Sequence, residues 1–276
     1  MKTLPLKLMQ PFYEINGITL YNGDCLGIMP QLEARSFDAI ICDLPYGTTA
    51  CKWDSVIPFE PLWEQYKRLI KPNGAIVLFG SQPFTTDLIM SNRAWFRYCW
   101  VWNKKKATGH LRAKKEPLRL LEDIVIFCDG IPLYNPQMAK GESYRGTART
   151  ERAGGVYGFV GKAREDNPGV RYPKNLIEFS FEVEPAHPTQ KPIALLEYLI
   201  RTYTNEGDTI LDNTAGSGTA LVAARNTNRR AVGIEMDEGY CRIAAGRIGR
   251  FEPSEFEVDK KAVTGQLGLF EQTRFR

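Results

Sequence analysis

The chain has 276 residues, of which 43% are hydrophobic, 11% aromatic and 25% charged. This composition is typical of a globular protein with a full hydrophobic core, and it excludes a disordered chain or a small disulfide-stapled scaffold. No apolar run approaches the roughly 20 residues of a membrane span. The six cysteines are scattered without a CxxC pair and only two histidines occur, so neither a disulfide framework nor a metal site is predicted. Because the N-terminus lacks the apolar core of an export signal, we expect a cytoplasmic location.

Positive charge is concentrated in the middle of the chain, although the net charge is only +4. Residues 103–120 contain seven Lys or Arg against one Glu, and residues 134–174 contain eight against four acids. Clustered cations of this kind neutralise phosphates, so the pattern fits a surface that faces nucleic acid. A solvated loop surface is the alternative interpretation of the same charges.

Short apolar runs alternate with segments of helical period, which predicts an α/β fold with a mostly parallel sheet and helices on both faces. The predicted strands cover residues 18–24, 37–42, 75–79, 209–212 and 231–235. Predicted helices cover residues 61–70, ended by Pro72-Asn73-Gly74, and residues 192–204.

Two further strand-like runs, at 97–102 and 123–128, predict an antiparallel pair at one edge of the sheet, from which the basic loop 103–120 projects. Periodicity fades between 129 and 180, which favours an irregular insertion. We therefore divide the chain into a first half (1–128), an insertion (129–180), a second half (181–251) and a tail (252–276).

The first motif with chemical meaning is DNTAGSGT, at 212–219, which follows an apolar strand and opens a helix. Glycines let the backbone approach a ligand closely, and Glu235, 23 residues after Asp212, can accept hydrogen bonds from ribose hydroxyls. Leu221 stands where a dinucleotide-binding motif prefers its third glycine, which argues against NAD. Tight helix packing alone is the structural alternative.

The second motif is Asp43-Leu44-Pro45-Tyr46, directly after the strand FDAIIC. The Asp43 carboxylate and the Leu44 carbonyl, whose position Pro45 fixes, can accept hydrogen bonds from an exocyclic amine, and Tyr46 can stack on a base. The carboxyl end of a parallel strand is also where ligands bind in α/β sheets. A strand-end cap with a core tyrosine is the alternative interpretation.

Together the motifs resemble those of the DNA amino-methyltransferases that use S-adenosylmethionine, in their permuted β class. The family motif is Asp/Asn/Ser-Pro-Pro-Tyr, and Leu44 here replaces its first proline. The chain order is also similar, with the catalytic motif first, then a variable region, then HPTQKP at 187–192 and the glycine loop. The resemblance implies a circularly permuted, Rossmann-like methyltransferase fold. In it, residues 1–128 would be the catalytic half, residues 129–180 the target-recognition insertion and residues 181–251 the cofactor-binding half.

The resemblance also implies roles for individual residues. Asp24 matches the acid that contacts the cofactor's adenine ring, Glu235 the ribose-binding acid, and Thr189 and Lys191 match positions near the methionine moiety. The full predicted cofactor set is Asp24, Thr189, Lys191, Asp212, Gly216, Ser217, Gly218, Thr219 and Glu235, and the predicted catalytic set is Asp43, Leu44, Pro45 and Tyr46.

Direct methyl transfer to the N6 amine of a flipped-out adenine in double-stranded DNA is the reaction that this match favours, because Asp at the first motif position leans to adenine within the family. N4-cytosine transfer is the first alternative, followed by an RNA amine methyltransferase and a non-catalytic nucleic-acid-binding module. Cytosine C5 transfer is not expected, because no cysteine follows a proline. The stretch 46–54 also resembles restriction-associated and phage-type adenine enzymes.

Contacts to DNA are expected from the basic loop and the insertion. The predicted DNA-binding residues are Lys104, Lys105, Lys106, Arg112, Lys114, Lys115, Arg145, Arg149 and Arg152. Near the C-terminus, Gln266 to Phe270 (QLGLF) resembles the short peptide by which bacterial DNA enzymes bind the replication sliding clamp, and packing onto the domain is the alternative. A homodimer is a further open prediction.

Overall fold

A computed structural model describes residues 10–48, 54–146, 166–181 and 190–250. The strands are β1 (Tyr13–Ile15), β2 (Ile18–Asn22), β3 (Phe37–Cys42), β4 (Ile70–Gly80), β5 (Phe96–Thr108), β6 (Arg119–Phe127), β7 (Ala139–Lys140), β8 (Val170–Arg171), β9 (Leu176–Glu178), β10 (Thr209–Asp212) and β11 (Arg230–Glu235). The helices are α1 (Cys25–Ile28), α2 (Phe59–Leu69), α3 (Phe84–Ser91), α4 (Ile193–Tyr203), α5 (Thr219–Asn226) and α6 (Glu238–Arg250).

Nine of these strands form one sheet in the order β1-β2-β11-β10-β3-β4-β6-β5-β9. The five strands from β2 to β4 in that order pair in parallel, while β1 and β6 run antiparallel to their neighbours. Strands β3 and β10 are adjacent in the sheet although more than 160 residues separate them in the chain. Because the two strands are parallel, this pairing brings the two predicted motifs together at the carboxyl ends of the strands.

Helices cover both faces of the sheet, as the alternating pattern predicts. On one face, Leu199 of α4, Leu221 of α5 and Ala244 of α6 pack in one buried cluster with β3 residues Ala39 and Ile41. On the other face, α1, α2 and α3 pack in a second cluster with Ile40 and Cys42, the alternate residues of the same strand. The three-layer α/β prediction is therefore confirmed.

The predicted strand bounds hold for most of the central strands, but the strand predicted at 75–79 is β4, which covers Ile70–Gly80. Strands β3 and β10 have the predicted bounds, and β2 and β11 differ by one or two residues. Helix α2 covers Phe59–Leu69, and Pro72-Asn73-Gly74 lies inside β4. The helix therefore ends before the proline turn, because Ile70 already pairs with Phe37 of β3.

The predicted antiparallel pair is present but longer than its apolar runs. Strand β5 continues to Thr108 and β6 begins at Arg119, so Lys104 to Lys106 belong to a strand of a β-hairpin. The pair is also not the outermost one, because β9, from the predicted insertion, adds to β5 in parallel. The indole nitrogen of Trp102 donates to the Phe179 carbonyl over 2.9 Å and holds the chain after β9 in place. Among the described residues, no helix combines the length and apolar character needed to cross a membrane.

Candidate active site

A cavity of about 780 Å³ opens at the carboxyl ends of the parallel strands. Its lining includes residues that directly follow β3, β10 and β11, where side chains of an α/β sheet converge on a ligand. The volume is in the range of sites for small organic ligands. Both predicted motifs line this one cavity, together with Lys104, Glu122 and Lys191.

Asp43 is at the centre of the polar wall of the cavity. One of its oxygens, Oδ2, lies 2.6 Å from the Lys191 ammonium, and the other, Oδ1, accepts from the Tyr46 hydroxyl over 2.9 Å. The resemblance placed Lys191 near the cofactor's methionine end, and the structure adds a direct ion pair between this residue and the catalytic motif. The carboxylate is thus fixed by two neighbours at the end of β3.

Glu122, on β6, joins the same group and is a residue that the sequence analysis did not identify. Its Oε1 lies 3.0 Å from the Lys191 ammonium and 2.9 Å from the Tyr46 hydroxyl, so the single hydrogen of that hydroxyl is shared between Glu122 and Asp43. Its Oε2 lies 3.9 Å from the ammonium of Lys104. Lys104, Glu122 and Lys191 are each about nine-tenths buried, whereas the Asp43 side chain is 27% exposed and lines the cavity. Two acids and two bases thus balance one another in a largely buried cluster.

Burial and charge shift the pKa values of this cluster in different directions. Burial raises the pKa of Asp43, the Lys191 ammonium lowers it and the Glu122 carboxylate raises it, with a net shift upwards. Burial by itself lowers the pKa of Lys191, but Asp43 and Glu122 outweigh it and raise the pKa overall. Burial is also the main reason why the pKa of Lys104 falls. At neutral pH, Lys191 therefore stays a cation that holds both carboxylates.

The rest of the catalytic motif is held by packing. The Tyr46 ring stacks on Phe84 of α3, with ring centres 5.0 Å apart and planes 25° apart. Leu44 is buried among the residues of the second core cluster, which accounts for an apolar side chain where the family motif has proline. Pro45 lines the cavity beside them. Base stacking by Tyr46 stays a prediction.

The glycine loop lies on the other side of the cavity and meets the predicted ribose acid. The Gly216 amide donates to Oε2 of Glu235 over 2.7 Å, and the Asp237 amide donates to Oε1 over 2.8 Å. Gly216 and Gly218 have φ values of +52° and +77°, which favour glycine. A Cβ on Gly218 would stand 2.8 Å from that of Ala244, so the loop approaches α6 too closely for any side chain.

Two of the predicted cofactor residues also stabilise the loop from within. The Arg247 guanidinium, on α6, donates to the Ser217 carbonyl over 2.7 Å and to the Thr219 hydroxyl over 2.9 Å. The Ser217 hydroxyl donates to Oε1 of Gln190 over 3.1 Å. These contacts connect the loop to α6 and to the segment that carries Lys191.

The glycine loop and the catalytic motif are also in direct contact. The Thr214 hydroxyl donates to the Asp43 carbonyl over 3.0 Å, and Asn213 Oδ1 accepts from the Tyr66 hydroxyl over 2.6 Å and from the Cys42 thiol. Asn213 Nδ2 is buried and lacks a hydrogen-bond partner in the described structure, although the residue lines the cavity. An orphaned donor in the wall, a glycine cradle and the Glu235 carboxylate all fit a polar nucleoside such as that of S-adenosylmethionine.

Two more predicted acids line the same cavity. Asp24 caps helix α1 by accepting from the Leu26 amide over 3.1 Å. Asp212 accepts from the Thr214 amide over 3.1 Å, and burial raises its pKa to about 7. Burial likewise raises the pKa of Glu235, against the lowering effect of the amides that donate to it.

The predicted DNA-binding residues divide into three groups. Lys104 differs from the expectation, because its ammonium is buried beside Glu122 in the cavity wall and not on an outer surface. The exposed members on the described surface are Lys105, Lys106, Arg112, Lys114, Lys115 and Arg145. Arg149 and Arg152, together with Thr189 and the peptide from Gln266 to Phe270, lie outside the described residues.

The family model of the N6/N4 DNA methylases, described as "DNA methylase", matches residues 37–246. Among related proteins, the type II methyltransferase M.HpaI of Haemophilus parainfluenzae is 27% identical over 237 residues, which is 80% of this chain and 70% of that protein. The DNA adenine methyltransferase YhdJ of Escherichia coli K12 is 26% identical over 271 residues, which is 90% of each chain.

Solved structures of other proteins share the fold of this chain. The M1.HpyAVI complex with S-adenosylmethionine is 23% identical and superimposes with a TM-score of 0.58, covering 83% of this chain and 98% of that one. The cytosine-N4-specific PvuII DNA methyltransferase is 15% identical with a TM-score of 0.65, covering 94% of each chain. These likenesses show a shared methyltransferase fold.

Proposed function

Because the chain belongs to the N6/N4 DNA methylase family and uses S-adenosylmethionine, we propose that it methylates the N6 amine of adenine in double-stranded DNA. The observation that carries the proposal is the partly buried Asp43 carboxylate at the carboxyl end of β3, in the same cavity as the glycine loop. The relative that covers 90% of this chain is named a DNA adenine methyltransferase, which supports the same base.

The residues of the cavity have distinct parts in this reaction. An exocyclic amine conjugated with its ring is a poor nucleophile, and acceptors at Asp43 and the Leu44 carbonyl orient its hydrogens and direct the lone pair at the methyl donor. When bound, S-adenosylmethionine would supply the electrophilic methyl group and, as its sulfur–methyl bond breaks, would leave as S-adenosylhomocysteine. The residues that would hold it are Asp24, Asn213, Gly216 and Glu235. The methylated amine then releases one proton to solvent.

Binding of the amine requires a change at Asp43. Each of its oxygens already has one partner, Lys191 or Tyr46, so the target amine has to share an oxygen with one of them, and that partner has to shift to make room. Lys191 can give way without losing its counter-ion, because Glu122 lies 3.0 Å from the same ammonium. We therefore assign Glu122 as a positioning residue that retains Lys191 when Asp43 accepts the base.

The base has to leave the duplex to reach Asp43, since the amine of a stacked pair is out of reach of a cavity wall. Tyr46, whose ring lines the cavity and is held by Phe84, offers the stacking surface that offsets part of the cost of unstacking. The exposed cations of the β5–β6 hairpin would neutralise phosphates beside the flipped nucleotide.

The test is transfer of labelled methyl from S-adenosylmethionine to bacterial DNA that lacks methylation, followed by nucleoside mass spectrometry and by mapping of the methylated site. We expect N6-methyladenine, and we expect Asp43→Ala to lower the rate by about two to three orders of magnitude while cofactor binding is retained. The matched control is Asp87→Ala, an exposed acid on α3. N4-methylcytosine would keep the mechanism but make cytosine the target base. Cofactor binding without a DNA product would favour an RNA substrate or a non-catalytic nucleic-acid-binding role.

A further inference from the structure

Leu111 stands at the tip of the β5–β6 hairpin with its side chain wholly in solvent, at a relative exposure of 104%. One exposed leucine on a protein surface is ordinary and needs no explanation by itself. The position of Leu111 is unusual, because the hairpin tip is a hydrogen-bonded turn that is rich in cations and next to the mouth of the active-site cavity.

The tip is an ordered turn that presents the leucine in a fixed place. Thr108 pairs with Arg119 at its base, where the Thr108 hydroxyl also donates to the Arg119 carbonyl over 3.2 Å. Gly109 has a φ of +92° and begins the short 3-10 turn from His110 to Arg112. The Arg112 amide donates to the Gly109 carbonyl over 2.9 Å, so the backbone on both sides of Leu111 is held.

The surroundings of Leu111 are cationic. The charged residues around it on the hairpin are Lys105, Lys106, Arg112, Lys114, Lys115, Glu116 and Arg119. Glu116 lies 3.2 Å from Arg112 and Glu178 lies 3.7 Å from Lys105, so each acid offsets the charge of one cation. An apolar side chain surrounded by cations matches a duplex, whose stacked bases lie between two rows of phosphates.

The hairpin also projects in the required direction. Asp123 of β6 pairs with Gly80, the last residue of β4, so residues 119–122 extend beyond the carboxyl edge of the sheet. Thr108 and Arg119, at the base of the tip, both line the cavity that contains Asp43. A base that enters this cavity therefore leaves its gap in the duplex beside the hairpin tip.

We propose that Leu111 inserts into the base stack of duplex DNA next to the target nucleotide and fills the gap while the base occupies the cavity. Apolar wedges of this size are a common means of holding an unstacked step open. The inference rests on the proposed function insofar as the target base must leave the helix. It assigns to the hairpin tip a role distinct from phosphate contact.

The experiment uses the full chain and a duplex oligonucleotide that contains the mapped site, with 2-aminopurine as the target base for fluorescence. We expect Leu111→Ala to lower kcat/KM on the normal duplex by about tenfold or more and to suppress the fluorescence rise. Leu111→Met should restore both, because methionine is of similar size and apolar. Ile131→Ala, at an apolar side chain that is 86% exposed beyond the opposite end of β6, is the matched control.

A second duplex with an abasic site opposite the target separates the wedge from a merely structural role. There the base is unpaired, so Leu111→Ala should come within roughly threefold of the wild type. Wild-type activity of Leu111→Ala on the normal duplex, or an equal loss on both duplexes, would overturn the proposal. If the mapped base is cytosine, the adenine assignment fails, but the wedge is still tested with a fluorescent cytosine analogue.

Discussion

Four ionisable side chains meet in the wall of the cavity, and their arrangement decides how Asp43 can act. The Lys191 ammonium lies between the carboxylates of Asp43 and Glu122, and Lys104 lies beyond Glu122. A buried carboxylate with one cation partner would be locked to it, whereas a shared cation leaves Asp43 able to accept another donor. Glu122 is thus as much a part of the site as the motif residues.

The variant Glu122→Gln tests this arrangement. We expect kcat to fall by about one to two orders of magnitude, because Lys191 is then held by Asp43 alone and competes with the target amine. Since the Glu122 charge raises the pKa of Asp43, its removal lowers that pKa and moves the acid limb of the kcat profile to lower pH. The readouts are the pH profile of kcat and cofactor binding by calorimetry, which should stay unchanged.

Glu178→Gln is the control for that experiment. Glu178 also lies near a lysine of β5, at 3.7 Å from Lys105, but about half of its side chain is exposed. Its replacement should leave both kcat and the pH profile as in the wild type. A Glu122→Gln variant with the wild-type profile would mean that the carboxylate has no influence on Asp43.

Asp212 makes the stability of the protein depend on pH. Burial raises its pKa in the folded state to about 7, above the ordinary 3.8, so the unfolded chain releases this proton first as the pH rises. Ionisation therefore favours the unfolded state, and the contribution of Asp212 to stability falls between about pH 4 and pH 7.

Asp212→Asn should remove that dependence. Relative to the wild type, the free energy of unfolding of the variant should rise by roughly 2 to 3 kcal/mol between pH 5 and pH 8. Urea unfolding at the two pH values measures the difference, without cofactor. The asparagine oxygen can still accept from the Thr214 amide, so the cap on the loop is retained. If the difference in free energy of unfolding between the variant and the wild type did not change with pH, the pKa of Asp212 in the folded state would be near its ordinary value.

At the scale of elements, the central strands were predictable and the contacts across the sheet were not. Strand β3 has the predicted bounds because a continuous apolar run followed by Asp43-Leu44-Pro45-Tyr46 marks both a buried strand and its end. Glu122 has no such local signal, since an acid before an apolar run reads as an ordinary strand start. Glu122 is brought close to Lys104 by the pairing of β5 with β6, because Glu122 is opposite Trp102 and Trp102 is two residues before Lys104.

The glycine loop shows the same division between local and tertiary information. Its sequence predicts a close backbone approach to a ligand, and the structure adds that Gly218 also lies against α6. Glycine is therefore required at 218 for two reasons. Its φ of +77° is unfavourable for other residues, and a Cβ there would lie 2.8 Å from the Cβ of Ala244. No sequence pattern identifies the helix that the loop meets.

Gly218→Ala should therefore destabilise the protein by about 1 to 3 kcal/mol and weaken binding of S-adenosylmethionine by about tenfold or more. Gly246→Ala, on α6, is the matched control, because an added Cβ there meets nothing within 4 Å. In a helix, that change should stabilise by roughly 0.5 to 1 kcal/mol. Urea unfolding and calorimetry measure both quantities, and equal effects of the two variants would contradict the strained geometry of the loop.

At the scale of the whole molecule, the cavity and the cationic hairpin lie at the same end of the parallel strands. The carboxyl ends of the strands hold the cavity, and the β5–β6 hairpin extends from the same side with most of its cations exposed. A net charge of +4 would bind a polyanion only weakly if it were spread evenly. Under the proposed function, we therefore expect the clustering of lysine and arginine on this side to favour one orientation of the duplex.

This orientation predicts that removing cations from the hairpin changes the salt dependence of duplex binding, whereas removing cations from the amino ends of the strands does not. Replacing Lys114 and Lys115 together by alanine should reduce the slope of log K against log salt for duplex binding by about 1.8, since each phosphate contact contributes about 0.9. The matched control replaces two exposed arginines at the other end of the strands, Arg35 before β3 and Arg93 before β5. Titrations of a labelled duplex between 50 and 200 mM salt, roughly the range over which such contacts weaken, provide both slopes. Equal slopes for the two double variants would mean that DNA does not approach from the side of the hairpin, and they would remove the electrostatic basis for the orientation of the target base towards Asp43.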